Sequence, residues 1–308
     1  MEPLARLRRN MEAVFFGRSE AITHVLVGLV ARGHVLVEDV PGVGKTVLAR
    51  ALARSIHCQF NRIQLTPDML PSDILGVSVY NQEKQEFVFK PGPIFANVIL
   101  ADEINRTTPR TQSSLLEAMN DYSVTIDGKT MALPNPFMVI ATQNPFEFEG
   151  TYLLPENQLD RFLLRIHLGY PDREREKEIL HHQPGRFVLD HLEPVLSMDD
   201  VRVLQGRATQ VKVDPAILDY LMDIVEASRV DSQLHTGVSP RGSLALMSAA
   251  QALALVEGRD YVTPDDVKAM VVPVCAHRVI TRNHMAAGDL RNAGRIFEQI
   301  LDRMPSPV

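Results

Sequence analysis

Glu38-Asp39-Val40-Pro41-Gly42-Val43-Gly44-Lys45-Thr46 lies between an apolar run, His34 to Glu38, and Lys45 to His57, a stretch rich in Ala, Leu and Arg. The run reads as a buried strand and the stretch as a helix, so both glycines fall in a strand-to-helix turn. Glycine there lets backbone N–H groups turn inward around phosphate oxygens, where a side chain would obstruct. The helix adds its N-terminal dipole and its free first-turn amides. Pro41, Gly42, Val43, Gly44, Lys45, Thr46 and Val47 are therefore the candidate nucleotide-binding segment. In it Lys45 neutralises the β- and γ-phosphates and the Thr46 hydroxyl ligates Mg²⁺. The generic pattern has Gly at its first position, where this chain has Asp39; Pro41 to Thr46 is intact.

Working outward, short apolar runs continue to alternate with helical patterns. Val98 to Ala101, Phe137 to Thr142 and Leu163 to His167 read as further strands, and Arg110 to Asn120 as a helix. That alternation predicts an α/β fold with a parallel sheet covered by helices, and ligands on such sheets sit beyond the carboxyl ends of the strands. Two segments interrupt it. Asp121 to Leu133 alternates around Asp127-Gly128, a two-residue hairpin signal. Thr66 to Pro93 reads as an inserted loop or hairpin. After Tyr170-Pro171-Asp172 the pattern turns helical, with helix starts at Asp172, Ser197, Asp214, Ser239 and Thr263 and no central strand. Pro171 is the boundary, dividing the chain into 1–170, an α/β nucleotide-binding domain, and 171–308, an all-helical domain.

Two more strand ends carry polar groups. Val98-Ile-Leu-Ala-Asp102-Glu103 closes a buried strand with adjacent carboxylates. Asp102 is placed to hold Mg²⁺ and Glu103 to polarise a water for attack on the γ-phosphate, a base that a slow switch does not require. Val139 to Asn144-Pro145 ends a neighbouring strand, with Asn144 placed to orient water or sense the γ-phosphate.

Composition bounds the rest. The 308 residues suit two domains at about 150 residues each. A formal charge of −6 removes the electrostatic argument for a protein that coats nucleic acid. Met1 to Asn10 has no apolar core behind it, so it does not read as a secretory signal. Val25 to Ala31, the longest apolar stretch, is far short of the roughly 20 residues that cross a bilayer. Cys58 and Cys275 read as buried residues in a reducing cytoplasm, and no CxxC or HExxH suggests zinc. His181-His182 and the charge-dense Asp172 to Glu178 read as solvated helix surface, and Pro305 to Val308 as a disordered tail.

Glu38 to Thr46, Leu100-Ala-Asp-Glu-Ile-Asn-Arg106, Ala141-Thr-Gln-Asn-Pro145, Leu154-Pro-Glu-Asn-Gln-Leu-Asp-Arg-Phe162 and Ser239-Pro-Arg-Gly242 together resemble the MoxR family of AAA+ ATPases. The order and spacing match from about Phe16 to Met270. The resemblance implies Mg²⁺-dependent hydrolysis of ATP to ADP in a ring, usually a hexamer. It implies a chaperone-like role toward partner proteins, often ones carrying a von Willebrand factor A domain. Thr66 to Pro93 then becomes an insertion within the second helix, as in the clade shared with magnesium-chelatase ATPase subunits. Arg161 resembles the arginine finger given to a neighbouring subunit, with Arg106, Arg110 and Arg165 as rivals. Arg241 resembles the lid's sensor arginine, reporting nucleotide state beside Asn144, and Phe16-Gly-Arg-Ser19 would border the adenine. Alternatives are a metal-chelatase motor subunit, a DNA-remodelling AAA+ protein, and a nucleotide-controlled scaffold with negligible turnover. The acidic balance disfavours the second and the intact Glu103 the third. With two domains accounted for, client recognition falls to the inserted hairpins, the ring surface or another chain.

Overall fold

A computed structural model describes residues 2–83, 85–144, 151–182, 189, 191–282 and 289–307. Five parallel strands form the central sheet in the order β2-β5-β8-β1-β9. They are β1 (Val35–Glu38), β2 (Phe60–Gln64), β5 (Val98–Asp102), β8 (Met138–Gln143) and β9 (Leu164–Ile166). Alternate side chains leave opposite faces, as strand geometry requires. Val35, Val37, Leu100 and Ile140 enter one core, while Leu36, Ile99, Ala101 and Val139 enter another. Both faces are covered, so the middle strands read as unbroken apolar runs. β2 escapes that reading because it is the sheet edge: of its five residues only Ile63 is buried.

The first core takes in α1 (Glu2–Glu12), α2 (Ser19–Val30) and α3 (Lys45–Ser55). Helix α2 carries the apolar Val25 to Val30, a stretch buried on all sides between the sheet and the helical portion. The all-round apolarity is that of a core helix. Among the described residues no helix is long and apolar enough to cross a membrane. The second core holds α5 (Pro109–Asp121) and the two insertions. β6 (Ser123–Ile126) and β7 (Lys129–Ala132) pair antiparallel across Asp127 and Gly128, which both have positive φ (52° and 73°), as a two-residue hairpin turn demands. The other insertion is the one-turn α4 (Pro71–Leu75) followed by the hairpin β3 (Gly76–Asn81) and β4 (Glu86–Pro91). The expected hairpin is present, and it springs from the C-cap of the five-residue α4 without a helix resuming after it.

Beyond β9 the chain is helical, in α7 (Arg173–His182; α6 is Glu156–Leu159), α8 (Met198–Ala208), α9 (Pro215–Val230), α10 (Pro240–Val256), α11 (Pro264–Cys275) and α12 (Asp289–Arg303). Every expected start is a cap. Ser197 and Thr263 form capping boxes with Asp200 and Asp266, Asp214 and Ser239 accept from Ala216 N and Gly242 N, and Asp172 Oδ1 accepts from Arg175 N. A small antiparallel pair, β10 (Leu234–Thr236) with β11 (Ile280–Thr281), is the one sheet among the described residues of this portion. One core continues from α1 and the sheet into α8–α12, across Pro171. The side chains of His181 and His182, and all of Pro145 and Val308, lie outside the described residues. Ser306 is not loose: its hydroxyl accepts from Lys268 Nζ at 2.6 Å. Cys58 and Cys275 are free, and burial pushes both thiols up to about 12, so neither is a reactive thiolate.

His34 joins α5 to the sheet. Its Nδ1 accepts from Val139 N at 3.0 Å and its Nε2 donates to Met119 O at 3.0 Å, which needs the neutral ring. Burial lowers its pKa to about 4, from about 6.5 in the unfolded chain. The unfolded state therefore binds the proton first. Its contribution is complete above pH 6.5 and is lost as pH falls toward 4, to a total of about 3 kcal/mol. Urea titrations across that window should show wild-type stability falling more steeply than that of His34→Gln.

Candidate functional site

The site forms where β1, β5 and β8 end together, because these three strands are adjacent and parallel. β1 leads into a loop with Gly42 at φ 90° and Gly44, the N-cap of α3, at φ 95°. A Cβ on Gly44 would lie 3.2 Å from the Phe15 ring, so the glycine answers both a left-handed turn and a close approach. The first helical hydrogen bond runs from Leu48 N to Gly44 O, which leaves the amides of Lys45, Thr46 and Val47 without an intrahelical acceptor. The Lys45 ammonium donates to Asp39 O at 2.6 Å. Burial lowers its pKa, and Asp102, Asp39 and Glu103 oppose that shift in descending order, so three carboxylates keep the cation charged.

Asp39 has a reason to depart from the generic glycine. Its Oδ2 accepts from Leu168 N at 2.8 Å and Gly169 N at 2.7 Å, and Oδ1 from Val40 N. The side chain thereby pins the phosphate loop to the turn leaving β9, just before Pro171. Restoring the pattern with Asp39→Gly should cost about 2–4 kcal/mol, since several charge-assisted bonds go at once. Denaturant unfolding measures this, and an unchanged midpoint would contradict it.

At the tip of β5, Asp102 Oδ1 accepts from Thr142 Oγ1 at 2.6 Å, and Thr142 Oγ1 accepts in turn from Glu103 N at 2.9 Å. Thr142 is fully buried, so one hydroxyl on β8 orients both acidic residues. Glu103 takes φ 59°, a left-handed conformation costly for a side-chain-bearing residue and typical of strained functional positions. From β2, Arg62 Nη2 meets Asp102 Oδ2 at 2.5 Å, and Gln64 Nε2 donates to Glu103 Oε2 at 2.8 Å. Thr142, Arg62 and Gln64 are absent from the sequence reading of the site. A polar residue inside the buried run Phe137 to Thr142 was the available signal for the first; for the others there was none, because β2 itself does not stand out. Asn144 follows directly after β8, between the Lys45 and Glu103 strands, and its carbonyl receives Asn105 Nδ2 at 3.5 Å. Phe15 borders the loop from the N-terminal side, with Gly17 against its ring, and Arg175 Nη1 donates to Gly17 O at 2.7 Å.

Thr46 and Asp102 offer hard oxygen donors, and among the described residues no group of three or more His, Cys, Asp and Glu is gathered for a metal. That donor set fits Mg²⁺, which binds through one or two protein oxygens with substrate phosphates and water.

The arginines lie elsewhere. Leu163 N donates to His34 O at 2.8 Å, so the segment 160–163 sits at the N-terminal end of the sheet. Lys45 lies beyond the opposite end, past the whole of β1, about 13 Å for four residues at 3.3 Å each. Arg241, just over half exposed, reaches Asp160 Oδ2 at 3.4 Å and Asn120 Oδ1 at 3.1 Å. Arg241 is therefore not brought to the segment Pro41 to Val47 of its own chain; it stands with Arg161. Of the rival fingers, Arg165 is buried against Glu38, Arg106 faces Glu103 at 3.4 Å, and Arg110 is exposed in the first turn of α5. A buried network of Glu38, Arg165 and Gln143 crosses β9, β1 and β8.

Residues 34–164 match the profile of the ATPase family associated with various cellular activities (AAA), and residues 226–300 that of the AAA lid domain. Chaperone MoxR1 of Mycobacterium tuberculosis is 43% identical over 286 residues, covering 90% of this chain and 75% of that protein. The uncharacterized protein YeaC of Bacillus subtilis is 48% identical over 305 residues, covering 99% and 95%. A crystal structure of a Cytophaga hutchinsonii protein, 36% identical, superposes with a TM-score of 0.89 over 100% of this chain and 96% of that one. These relationships reach well beyond the phosphate loop, through sheet and lid alike, and the chain belongs to the MoxR family of AAA+ ATPases.

Proposed function

We propose that this ATPase hydrolyses ATP to ADP with Mg²⁺ in a closed, hexameric ring, each nucleotide lying between Lys45 of one subunit and Arg161 and Arg241 of the next. One observation carries the reading: Arg241 is paired with Asp160, the residue before Arg161, at the end of the sheet opposite to Lys45, which favours donation of both arginines to a neighbouring subunit. In the same reading residues 1–170 form the nucleotide domain and 171–308 the lid.

The amides of Lys45 to Val47 and the Lys45 ammonium bind the β- and γ-phosphates. Thr46 and Asp102 would hold Mg²⁺, which would supply neutralisation of the phosphate charge. Glu103 takes the proton of a water whose oxygen attacks the γ-phosphorus as the bond to the β-phosphate oxygen breaks. Asn144 orients that water, and Arg161 with Arg241 stabilises the charge spreading over the transferred group. The work is done on a protein client in the cytoplasm, of the class carrying a von Willebrand factor A domain, in a chaperone-like role. A formal charge of −6 suits a protein client better than DNA.

Steady-state hydrolysis by the purified ring tests the reading. Turnover is expected with ATP and Mg²⁺, lost with EDTA and not raised by DNA; a ring that binds ATP and never hydrolyses it would be the scaffold instead. ATP-loaded rings should bind a von Willebrand-domain client that ADP-loaded rings release.

A further inference from the structure

Arg161 is held from both sides by one residue of the helical portion. Arg278 ends the 3-10 turn Ala276–Arg278 after α11, with its side chain only 3% exposed. Its Nε donates to Asp160 Oδ1 at 2.8 Å, its Nη2 to Phe162 O at 2.6 Å, and its Nη1 to Leu163 O at 3.2 Å. His277 Nε2 lies 3.0 Å from the same Phe162 carbonyl. The residues before and after Arg161 are thus both bonded to the Arg278 fork, while the Arg161 side chain is half-buried and has no hydrogen-bond partner among the described residues. Asp160 divides its carboxylate: Oδ1 faces buried Arg278 and Oδ2 faces exposed Arg241.

Packing alone does not call for this arrangement. A buried guanidinium is costly unless its donors are met, and an aliphatic side chain would fill the same space without that demand. What the planar fork supplies is geometry, because several carbonyl and carboxylate acceptors must stand at fixed mutual angles to satisfy it.

We propose that Arg278, acting through Asp160, is a positioning residue that sets Arg161 and Arg241 as one unit facing the neighbouring subunit's nucleotide. The inference rests on the reading of Arg161 and Arg241 as trans groups. It makes the lid and the 160–163 segment of one subunit a single body, so movement of that lid carries the arginines toward or away from the next subunit's site.

Subunit mixing tests it. Arg278→Lys keeps the charge and loses the fork; an error of about 1 Å in placing Arg161 should lower kcat by about 10²-fold. ATP binding by the same ring should change by less than about threefold, because the phosphate loop is untouched. Mixed with Lys45→Ala subunits, which keep a sound Arg161, the Arg278→Lys subunits should regain activity. Mixed with Arg161→Ala subunits they should not, since both are then deficient in the same donated group. Asp160→Asn should fall into the same complementation group, and stands in for Arg278→Lys if that variant fails to fold. Unchanged kcat in both variants, recovery with Arg161→Ala, or equal loss of binding and turnover would overturn the proposal. Failure of Arg161→Ala to be rescued by Lys45→Ala would instead sink the trans reading on which it rests.

Discussion

Glu103→Gln is expected to bind Mg-ATP about as tightly as the wild type and to hydrolyse it roughly 10²–10⁴-fold more slowly, the usual worth of a positioned general base. The substitution isolates the proton acceptor because the rest of the site can stay in place. Gln keeps an oxygen for the amide of Gln64, now 2.8 Å from Glu103 Oε2. The backbone N–H of residue 103 still donates to Thr142 Oγ1, and Asp102 keeps its bonds to Thr142 and Arg62. The φ of 59° is as unfavourable for Gln as for Glu, so no new strain arises. Binding of a fluorescent ATP analogue together with single-turnover hydrolysis separates the two effects. Undiminished turnover would place the base elsewhere.

Arg161→Ala should lower kcat by roughly 10³–10⁵-fold, since a group that meets transition-state charge in trans is typically worth that much. Affinity for ATP should change far less, because in the proposed function Lys45 and the first turn of α3 do the binding. The geometry makes a sharper demand than the rate alone. Arg161 and Lys45 lie at opposite ends of the sheet, so the two lesions affect different interfaces of a ring. Rings mixed from Arg161→Ala and Lys45→Ala subunits contain interfaces with a sound phosphate loop on one side and a sound arginine on the other. Those interfaces should restore measurable hydrolysis, read at several mixing ratios after native mass spectrometry has verified the mixture. Verified mixed rings without recovery would exclude Arg161 as a trans group.

Much of this was legible along the chain because the decisive signals are local. A phosphate loop is a contiguous segment with glycines at fixed offsets, and buried strands announce themselves as apolar runs ended by polar residues. The hairpin at Asp127-Gly128 and the caps at Asp172, Ser197, Asp214, Ser239 and Thr263 were equally readable, since a turn or cap depends on a few neighbouring residues. β2 was not legible: an edge strand needs only one buried side chain, and Phe60-Asn-Arg-Ile-Gln64 carries no alternation to betray it. Its absence hid Arg62 and Gln64 from the site. The hairpin expected within Thr66 to Pro93 is present, and Gly76 at φ 103° ends α4 and starts it.

The sequence by itself determined the phosphate loop, the acidic tip of β5, the parallel α/β plan and the change to helices at Pro171, all features encoded by residues near one another. Only the tertiary structure decided where the arginines lie. Arg241 and Arg278 meet Asp160 across 81 and 118 positions of chain, and no short-range pattern records such a contact. Which end of the sheet an arginine occupies follows from how α10 and α11 pack along α2 and β9, and that packing placed Arg241 beside Arg161 and away from Lys45.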